Sequence, residues 1–229
     1  MIDKDFLIAE CEKFGVYLSE KQADVLDAFS EFVLEENKKY NLTAILDPEA
    51  FTEKHLIDSL TALPFIPKGA VLCDVGAGAG FPSFPIAAAR EDVMVTALDS
   101  TSKKTGFIAR AAERFGLKNL SVLTKRAEEC THERESFDVV TARAVALLPI
   151  LTELSLPLLK IGGVFIAYKT KKEEPPSNRN LSLSGGMIKD VISYSLPSGD
   201  GRILYIIEKV SNTSPDLPRP YGKIKKSPL

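Results

Sequence analysis

The sequence has no apolar run that approaches the roughly 18 residues needed by a membrane-spanning helix. Its start, Met1-Ile-Asp-Lys-Asp, is acidic and shows no basic-then-apolar signal pattern. Only three cysteines occur among the 229 residues, and they lack the spacing of metal ligands. These absences exclude the pattern of a secreted disulfide-rich protein. They favour a cytoplasmic protein with no membrane partner and no metal site.

The sequence also lacks a strong net charge, which is −2 at pH 7. This small total hides an asymmetry. Residues 1–36 carry ten acidic and three basic residues, whereas residues 37–229 carry 21 acidic and 26 basic residues. A mildly basic body of net +5 fits a polyanionic partner, although this excess is weak support by itself.

The most informative segment present is Ala70-Val-Leu-Cys-Asp-Val-Gly-Ala-Gly-Ala-Gly80. An apolar run followed by Gly76, Gly78 and Gly80 predicts the strand, tight turn and helix of an α/β nucleotide site. Glycine suits this turn because it allows positive φ and a close approach of the ligand to the backbone. The third glycine of a dinucleotide fingerprint is missing, since Phe81 stands in its place. From this segment alone, a glycine-rich turn without a ligand stays an alternative.

A second acidic residue strengthens the nucleotide interpretation. The first strand contains Asp74, and Pro82 suits the first turn of the helix that follows the glycines. Residues 93–99 form another apolar strand that ends at Asp99, 19 residues after Gly80. An acid at the tip of the second strand accepts hydrogen bonds from ribose hydroxyls. The two acids and the glycine turn therefore predict one adenosine-sized site.

The N-terminal part of the chain, residues 1–64, is predicted to be a helical lobe. Ser19 and Gln22 form a capping box, and Asp47-Pro48 begins a third helix that runs to about Ala62.

Residues 65–210 alternate strands and helices, which predicts a parallel sheet covered on both faces. Lys171 to Gly186 is polar and is predicted to be a loop. Residues 211–229 form a basic, proline-rich tail, for which we expect no helix; disorder and phosphate binding both stay open. The predicted strands lie at 70–75, 93–99, 120–125, 137–142, 163–169, 191–195 and 202–208, and the predicted helices of this domain lie at 82–90, 102–115 and 147–160.

Seven separated motifs, strongest between residues 35 and 170, repeat the pattern of one protein family. They are Asn41-Leu-Thr43, His55-Leu-Ile-Asp58-Ser59, Asp74-Val-Gly-x-Gly-x-Gly-Phe-Pro82, Asp99-Ser-x-x-Lys103-Lys104, Arg126-Ala-Glu128-Glu129, Phe137-Asp-Val-Val-Thr-Ala-Arg143-Ala144 and the ending Pro218-Arg219…Gly222…Lys226-x-Pro228-Leu229. Together they resemble the RsmG family, also called GidB. Ser83, Lys104, Ala142 and Thr170 depart from the family pattern.

The resemblance implies a class I S-adenosylmethionine (SAM)-dependent methyltransferase. The implied fold is Rossmann-like α/β, with a mostly parallel sheet, an antiparallel last strand and an N-terminal helical extension. Members of the family methylate N7 of a guanine in 16S ribosomal RNA, so SAM is the expected cofactor. The expected partner is 16S rRNA or the small ribosomal subunit, and we expect a monomer.

Apart from the resemblance, the motifs that are missing from the sequence limit which atom can accept the methyl group. An exocyclic amine acceptor usually requires an Asp/Asn-Pro-Pro-aromatic motif after the fourth strand, where this chain has Asp138-Val-Val-Thr-Ala-Arg143. Methylation of a pyrimidine C5 requires a cysteine nucleophile, usually after proline, and no cysteine here follows proline. Methylation of a ring nitrogen requires neither that motif nor a cysteine nucleophile. This favours guanine N7 but also fits small-molecule nitrogen or oxygen acceptors.

The candidate site residues fall into three sets. Arg143, His55 and Asp58 are predicted to position the substrate, with a surface ion pair and ordinary helix packing as the alternatives. A basic rim of lysines and arginines is predicted to contact RNA, with simple solvent exposure as the alternative. The predicted cofactor-binding residues are Asp74, Gly76, Gly78, Gly80, Phe81, Asp99, Ala127, Glu128 and Arg143. Among these, the assignments that rest on the resemblance are those of Gly76, Phe81, Ala127, Glu128 and Arg143. The predicted RNA-binding residues are Lys103, Lys104, Arg126, Arg219, Lys223, Lys225 and Lys226.

Two other classes of protein stay open from the sequence. A nicotinamide-dependent oxidoreductase is disfavoured because Phe81 replaces the third glycine. A non-catalytic RNA-binding or ribosome assembly protein that retains a SAM fold is disfavoured by the complete set of cofactor positions.

Overall fold

The computed structural model describes residues 2–229, and the N-terminal part is helical. Helix α1 spans Lys4–Glu12 and helix α2 spans Glu20–Tyr40. Helix α2 begins with the predicted capping box, in which the side chains of Ser19 and Gln22 each accept a backbone N–H of the other residue. The prediction that this part of the chain is helical is confirmed for both segments.

The third helical segment begins after Asp47, whose carboxylate accepts the N–H of Ala50. It consists of α3 (Pro48–Phe51), a π-helical stretch (Thr52–Ile57) and α4 (Asp58–Leu60). The predicted helix is therefore confirmed in position, but its middle is wider than an α-helix. Such π-helical stretches are frequent at functional sites, and this one carries His55.

A single sheet of seven strands forms the centre of the fold, in the order β3-β2-β1-β4-β5-β7-β6. Strands β1 to β5 pair in parallel, and β7 runs antiparallel to both of its neighbours. This confirms the predicted sheet, including its antiparallel last strand. The strands are β1 (Val71–Val75), β2 (Met94–Asp99), β3 (Leu120–Thr124), β4 (Phe137–Arg143), β5 (Leu159–Lys169), β6 (Gly186–Ser195) and β7 (Gly201–Lys209).

Three predicted helices flank the sheet: α5 (Ser83–Ala89), α6 (Ser102–Arg114) and α7 (Leu148–Ser155). The prediction of a loop over Lys171 to Gly186 is wrong, because this segment contains α8 (Asn178–Ser184). Its ends carry ordinary caps, with Ser177 at the N-terminus and Gly185 at φ +76° at the C-terminus.

The tail also folds, contrary to the expectation that it contains no helix. Helix α9 spans Tyr221–Lys226. Its one fully buried side chain, Ile224, packs with Ile150 and Leu154 of α7. Ile224 therefore packs this short helix against apolar side chains of α7.

One continuous cluster of buried side chains joins the N-terminal helices to the sheet. Phe29 of α2 stacks on Phe84 of α5, with ring centroids 3.6 Å apart. Phe107 of α6 and Phe115 pack around the same pair. The core therefore crosses the predicted boundary at residue 64, and the proposed division into three domains stays a prediction. No helix within residues 2–229 is long and apolar enough to span a membrane.

Candidate active site

The glycine turn lies at the carboxyl end of β1. Gly76 (φ +74°) and Gly78 (φ +59°) both adopt left-handed backbone conformations. The N–H groups of Gly76 and Ala77 donate to the carbonyl of Leu98 on β2, which fixes the turn against the neighbouring strand. A Cβ atom at Gly76 would overlap the side chain of Val145. Glycine is therefore required here for its conformation and for its close neighbour.

Asp74 precedes the turn and is completely buried. Its carboxylate accepts the N–H of Ser83 at 3.2 Å and the hydroxyl of Thr141 at 3.0 Å, and burial raises its pKa to about 6. Asp74 lines neither of the two cavities described below, and its predicted contact with the cofactor stays a prediction. The carboxylate ties the glycine turn to α5 and β4.

Asp99 lies at the end of β2, beside the turn. One of its carboxylate oxygens accepts the N–H of Gly78 at 3.0 Å, and the other accepts the N–H of Thr101 at 2.8 Å. Lys104, at the start of α6, lies 3.9 Å from the same carboxylate. Each oxygen of Asp99 thus accepts one backbone N–H, and the residue lines a cavity.

We call this cavity of about 360 Å³ the Asp99 cavity, and its volume is within the usual range of small-molecule sites. It brings together four of the predicted cofactor residues, which come from the ends of β1 and β2 and from the turn after β3. Its wall also contains Lys104 and Arg126, two members of the predicted basic rim. The four cofactor residues are Gly76, Asp99, Ala127 and Glu128.

Three other predicted cofactor residues lie elsewhere. Gly80 packs against Phe84 and Ile108 in the core. Phe81 stacks on His55, with ring centroids 4.4 Å apart and ring planes 10° apart. Arg143 lines a different cavity. Gly78 acts through its hydrogen bond to Asp99 and does not line the cavity wall.

Arg143, at the end of β4, lines the second cavity, of about 650 Å³, which we call the Arg143 cavity. Its guanidinium donates to the carboxylate of Asp58 at 2.9 Å and to the carbonyl of Lys54 at 2.7 Å. Its other terminal nitrogen lies 3.2 Å from Nδ1 of His55. The π-helical stretch and α4 therefore bring His55 and Asp58, two of the residues predicted to position the substrate, to the arginine.

The contacts of His55 determine its protonation. Arginine can only donate, so Nδ1 of His55 accepts and Nε2 carries the proton, which it donates to the hydroxyl of Thr43 at 2.8 Å. Burial, together with the positive charge of Arg143, lowers the pKa of His55 to about 3. The imidazole is therefore neutral, and its lone pair is already used.

Asp58 has both carboxylate oxygens occupied as well. One accepts from Arg143, and the other accepts the hydroxyl of Tyr194 at 2.8 Å, with Arg202 at 3.6 Å. Sequence reasoning missed Tyr194 and Arg202, because nothing in a surface-patterned hairpin strand signals a contact with a helix more than 130 residues away. Asp58 therefore holds Arg143 in place, and its predicted role in positioning the substrate would act through that arginine.

The two cavities share part of their wall. Ala144 and Val145, directly after Arg143, line both. Ala144 adopts φ +56°, a left-handed conformation that is strained for alanine. Val145 and Leu147 are large apolar side chains that remain exposed here.

The predicted RNA residues also separate. Lys103, Arg126, Lys223, Lys225 and Lys226 are exposed, and Lys104 is partly exposed. Arg219 is different, because its guanidinium pairs with the fully buried Glu153 of α7 at 2.5 Å. Arg219 therefore holds the tail to the body, and its contact with phosphate stays a prediction. Within residues 2–229, no group of three or more histidine, cysteine or acidic side chains is arranged to hold a metal ion.

This sheet order, with a glycine turn after β1 and an acid after β2 around one cavity, defines the fold as that of a class I methyltransferase. Within that class, the family model of the rRNA small subunit methyltransferase G (GidB) matches residues 22–193. The chain belongs to this family.

Curated relatives match nearly the whole chain. Ribosomal RNA small subunit methyltransferase G of Acetivibrio thermocellus is 41% identical and covers 99% of this chain and 96% of the relative. The protein of the same name from Staphylococcus carnosus is 40% identical and covers 98% of each chain. This confirms the family resemblance predicted from the separated motifs.

Solved structures share the fold at low identity. A SAM-dependent methyltransferase from Aquifex aeolicus is 19% identical with a TM-score of 0.55, and it covers 77% of this chain and 98% of that structure. The cyclase SpnF is 15% identical with a TM-score of 0.60, and it covers 84% and 97% respectively. Because a cyclase shares this fold, the fold alone does not define the reaction.

Proposed function

We propose that this protein transfers the methyl group of SAM to N7 of a guanine in 16S rRNA. The observation that carries the proposal is the pair of adjoining cavities that share Ala144 and Val145. One suits a nucleoside cofactor, and the other is large enough for a nucleobase. The proposal includes action in the cytoplasm, as a monomer, on rRNA or on the small ribosomal subunit.

The cofactor is SAM, and the residues of the Asp99 cavity fit it. The carboxylate of Asp99 would accept the ribose hydroxyls, while the turn at Gly76 allows close approach of the amino-acid portion. Ala127 and Glu128 would flank the remaining part of the nucleoside. When bound, SAM supplies an electrophilic methyl group on a sulfonium.

The Arg143 cavity supports N7 as the acceptor because it offers no free base. The lone pair of His55 is taken by Arg143, and both oxygens of Asp58 are occupied. Glu173, the other carboxylate in the wall, pairs with Lys169 at 3.1 Å and accepts the N–H of Leu148. Guanine N7 carries no proton, so its attack needs alignment and no proton acceptor.

The role of these residues is to hold a rigid wall. The flat stack of His55 on Phe81 and the three-point contact of Arg143 fix the floor of the cavity. The exposed side chains of Val145 and Leu147 provide apolar surface for a base. The major groove of A-form RNA is too deep and narrow for side chains, so the guanine would enter from a loop or as an extruded base.

The proposal is tested by the pH dependence of a single turnover with saturating SAM and small ribosomal subunits. The rate should stay nearly flat from about pH 6 to 8.5, and His55→Asn should change its value without changing its flatness. A rise of slope near one around pH ~6.5 that is lost in His55→Asn would identify a catalytic base and count against N7.

The substrate is tested in cells. Mass-spectrometric mapping of rRNA from cells with and without this protein should differ by one methylated guanine in 16S rRNA. A methyl group that disappears from another RNA, or no difference at all, would favour another acceptor or a non-catalytic role.

A further inference from the structure

Tyr221, which sequence reasoning did not select, reaches the Asp99 cavity from the far end of the chain. It is the first residue of α9, is half-buried, and forms part of the same cavity wall as Asp99 and Ala127. Its side chain also packs against the small core of Ile150, Leu154 and Ile224 between α7 and α9, as does Ala127. An aromatic side chain in the wall of a nucleoside cavity offers a flat apolar surface to the ligand.

The tail that carries Tyr221 is held by buried contacts. Arg219 donates to Glu153 from its backbone N–H at 2.9 Å, from Nε at 2.8 Å and from Nη2 at 2.5 Å. Glu153 is completely buried, so departure of the tail would leave an unpaired carboxylate in the core. The docked position of α9 is therefore strongly preferred.

Two further contacts hold the segment that leads to α9. Arg134 donates to the carbonyls of Leu217 at 2.7 Å and Thr213 at 3.1 Å. Lys209, which is fully buried, donates to the hydroxyl of Thr213. The path from β7 to α9 is thus tied to the body along its length.

The exposed surface of α9 is basic. Lys223, Lys225 and Lys226 are exposed, and in the described part of the chain none of them has an acidic partner. Lys104 and Arg126 continue the positive charge at the wall of the Asp99 cavity. One six-residue helix therefore places an aromatic ring against the cofactor cavity and three free cations toward solvent.

We propose that α9 couples cofactor binding to RNA binding: Tyr221 contacts SAM, and the lysines of the same helix contact rRNA phosphates. The RNA half of this inference rests on the proposed function. SAM in contact with Tyr221 would restrict the motion of α9 within its docked position and so order its lysines, and by linkage RNA would then raise cofactor affinity by the same factor. Removal of residues 211–229 should lower the affinity for both SAM and RNA. If the tail contacts only RNA, its removal would leave the affinity for SAM unchanged.

The cofactor half is tested by calorimetry with S-adenosylhomocysteine and the full chain. Tyr221→Ala should bind roughly tenfold more weakly, and Tyr221→Phe, which keeps the ring, should recover most of the affinity. Tyr17→Ala is the matched control, because Tyr17 is 77% exposed and lies in the N-terminal lobe. Wild-type affinity in Tyr221→Ala, with an unchanged melting temperature, would overturn the proposal.

The coupling is tested by binding a 16S rRNA transcript with and without S-adenosylhomocysteine. The wild-type chain should bind RNA several-fold more tightly with the cofactor product present, and Tyr221→Ala should lose this difference. Replacing the three lysines by glutamine should weaken RNA binding and reduce the slope of log K against log salt concentration by about three. The affinity for S-adenosylhomocysteine in the absence of RNA should stay unchanged. Equal RNA affinity in both conditions for the wild type would overturn the coupling.

The experiments distinguish a failure of the role proposed for α9 from a failure of the proposed function. If rRNA is methylated but the wild type shows no coupling, the role of α9 is wrong and the proposed function stands. If Tyr221→Ala loses cofactor affinity but no rRNA is methylated, the contact of Tyr221 stands and the proposed substrate is wrong.

Discussion

The two adjoining cavities are built in different ways. The Asp99 cavity is shaped mainly by backbone, through a glycine turn and hydrogen bonds from Gly78 and Thr101 to one carboxylate. The Arg143 cavity is shaped by side chains from distant segments, in which Arg143 joins β4 to the π-helical stretch and Asp58 joins α4 to β6. The Asp99 cavity therefore depends on backbone donors for its shape, whereas the Arg143 cavity depends on paired side chains.

This difference has consequences for mutation. In the Arg143 cavity each charged group satisfies another, so one deletion leaves several buried partners without a hydrogen bond. In the Asp99 cavity the groups that face the ligand are backed by a turn that stays in place. Substitutions on the Arg143 side should therefore affect folding and catalysis together, and those on the Asp99 side should affect mainly affinity.

The largest expected effect is that of Arg143→Ala. It removes the donor to Asp58, His55 and the carbonyl of Lys54, so we expect the free energy of unfolding to fall by about 3–5 kcal/mol. Misalignment should lower the single-turnover rate by at least about 100-fold. Affinity for S-adenosylhomocysteine should change little, because Arg143 does not line the Asp99 cavity.

Arg179→Ala, at an exposed arginine, is the matched control. If Arg143→Ala weakens cofactor binding as much as it slows methyl transfer, the family-based assignment of Arg143 to the cofactor is right and the separation of the cavities is wrong.

The second effect is the loss of folding stability at low pH that is caused by His55. The folded-state pKa of about 3 lies below the unfolded value of ~6.5, so between these values the unfolded chain binds a proton that the folded chain does not. The stability provided by neutral His55 is therefore lost as the pH falls. The stability advantage of the wild type over His55→Asn should shrink by about 2–3 kcal/mol between roughly pH 7 and 4.5.

Urea unfolding at several pH values measures this difference. Asp74, whose pKa is raised to about 6 and whose contribution has the opposite slope, is present in both proteins and cancels. His132→Asn, at the exposed histidine, is the matched control variant. A constant difference between wild type and His55→Asn would mean that His55 titrates normally.

The third effect is on the backbone-shaped cavity. Asp99→Ala should weaken SAM binding by about 1–3 kcal/mol, the scale of a lost charged hydrogen bond. The single-turnover rate at saturating SAM should stay close to that of the wild type. Asp190→Ala, at an exposed acid on β6, is the control for calorimetry. Unchanged affinity in Asp99→Ala would remove this residue from the site.

The smallest effect lies on the shared wall. Ala144→Gly relieves a left-handed conformation, so the free energy of unfolding should rise by up to about 1 kcal/mol, less the entropic disadvantage of glycine. Ala146→Gly, two residues on and not in a left-handed conformation, should not stabilise the protein. A destabilised Ala144→Gly variant would show that the side chain of Ala144 itself packs in the wall.

Much of the fold was readable from local chemistry. The capping box at Ser19 and Gln22, the glycine turn and the acid at Asp99 depend on spacing within a few residues, which backbone geometry dictates. The strand alternation indicated a parallel sheet because parallel strands are buried on both faces. The errors over residues 171–186 and in the tail arose because short helices depend on docking more than on pattern.

Only the tertiary structure decided which charges are free. Asp74 and Asp99 look alike in sequence, each an acid in an apolar strand, yet one is buried between Ser83 and Thr141 and the other faces a cavity. Arg219 looks like its neighbouring lysines in sequence, yet it forms an ion pair with Glu153, 66 residues away. The sequence alone determined the family, the sheet and the kind of cofactor, because these follow from short-range pattern. The partners of each polar group depend on contacts across the fold, which no spacing along the chain encodes.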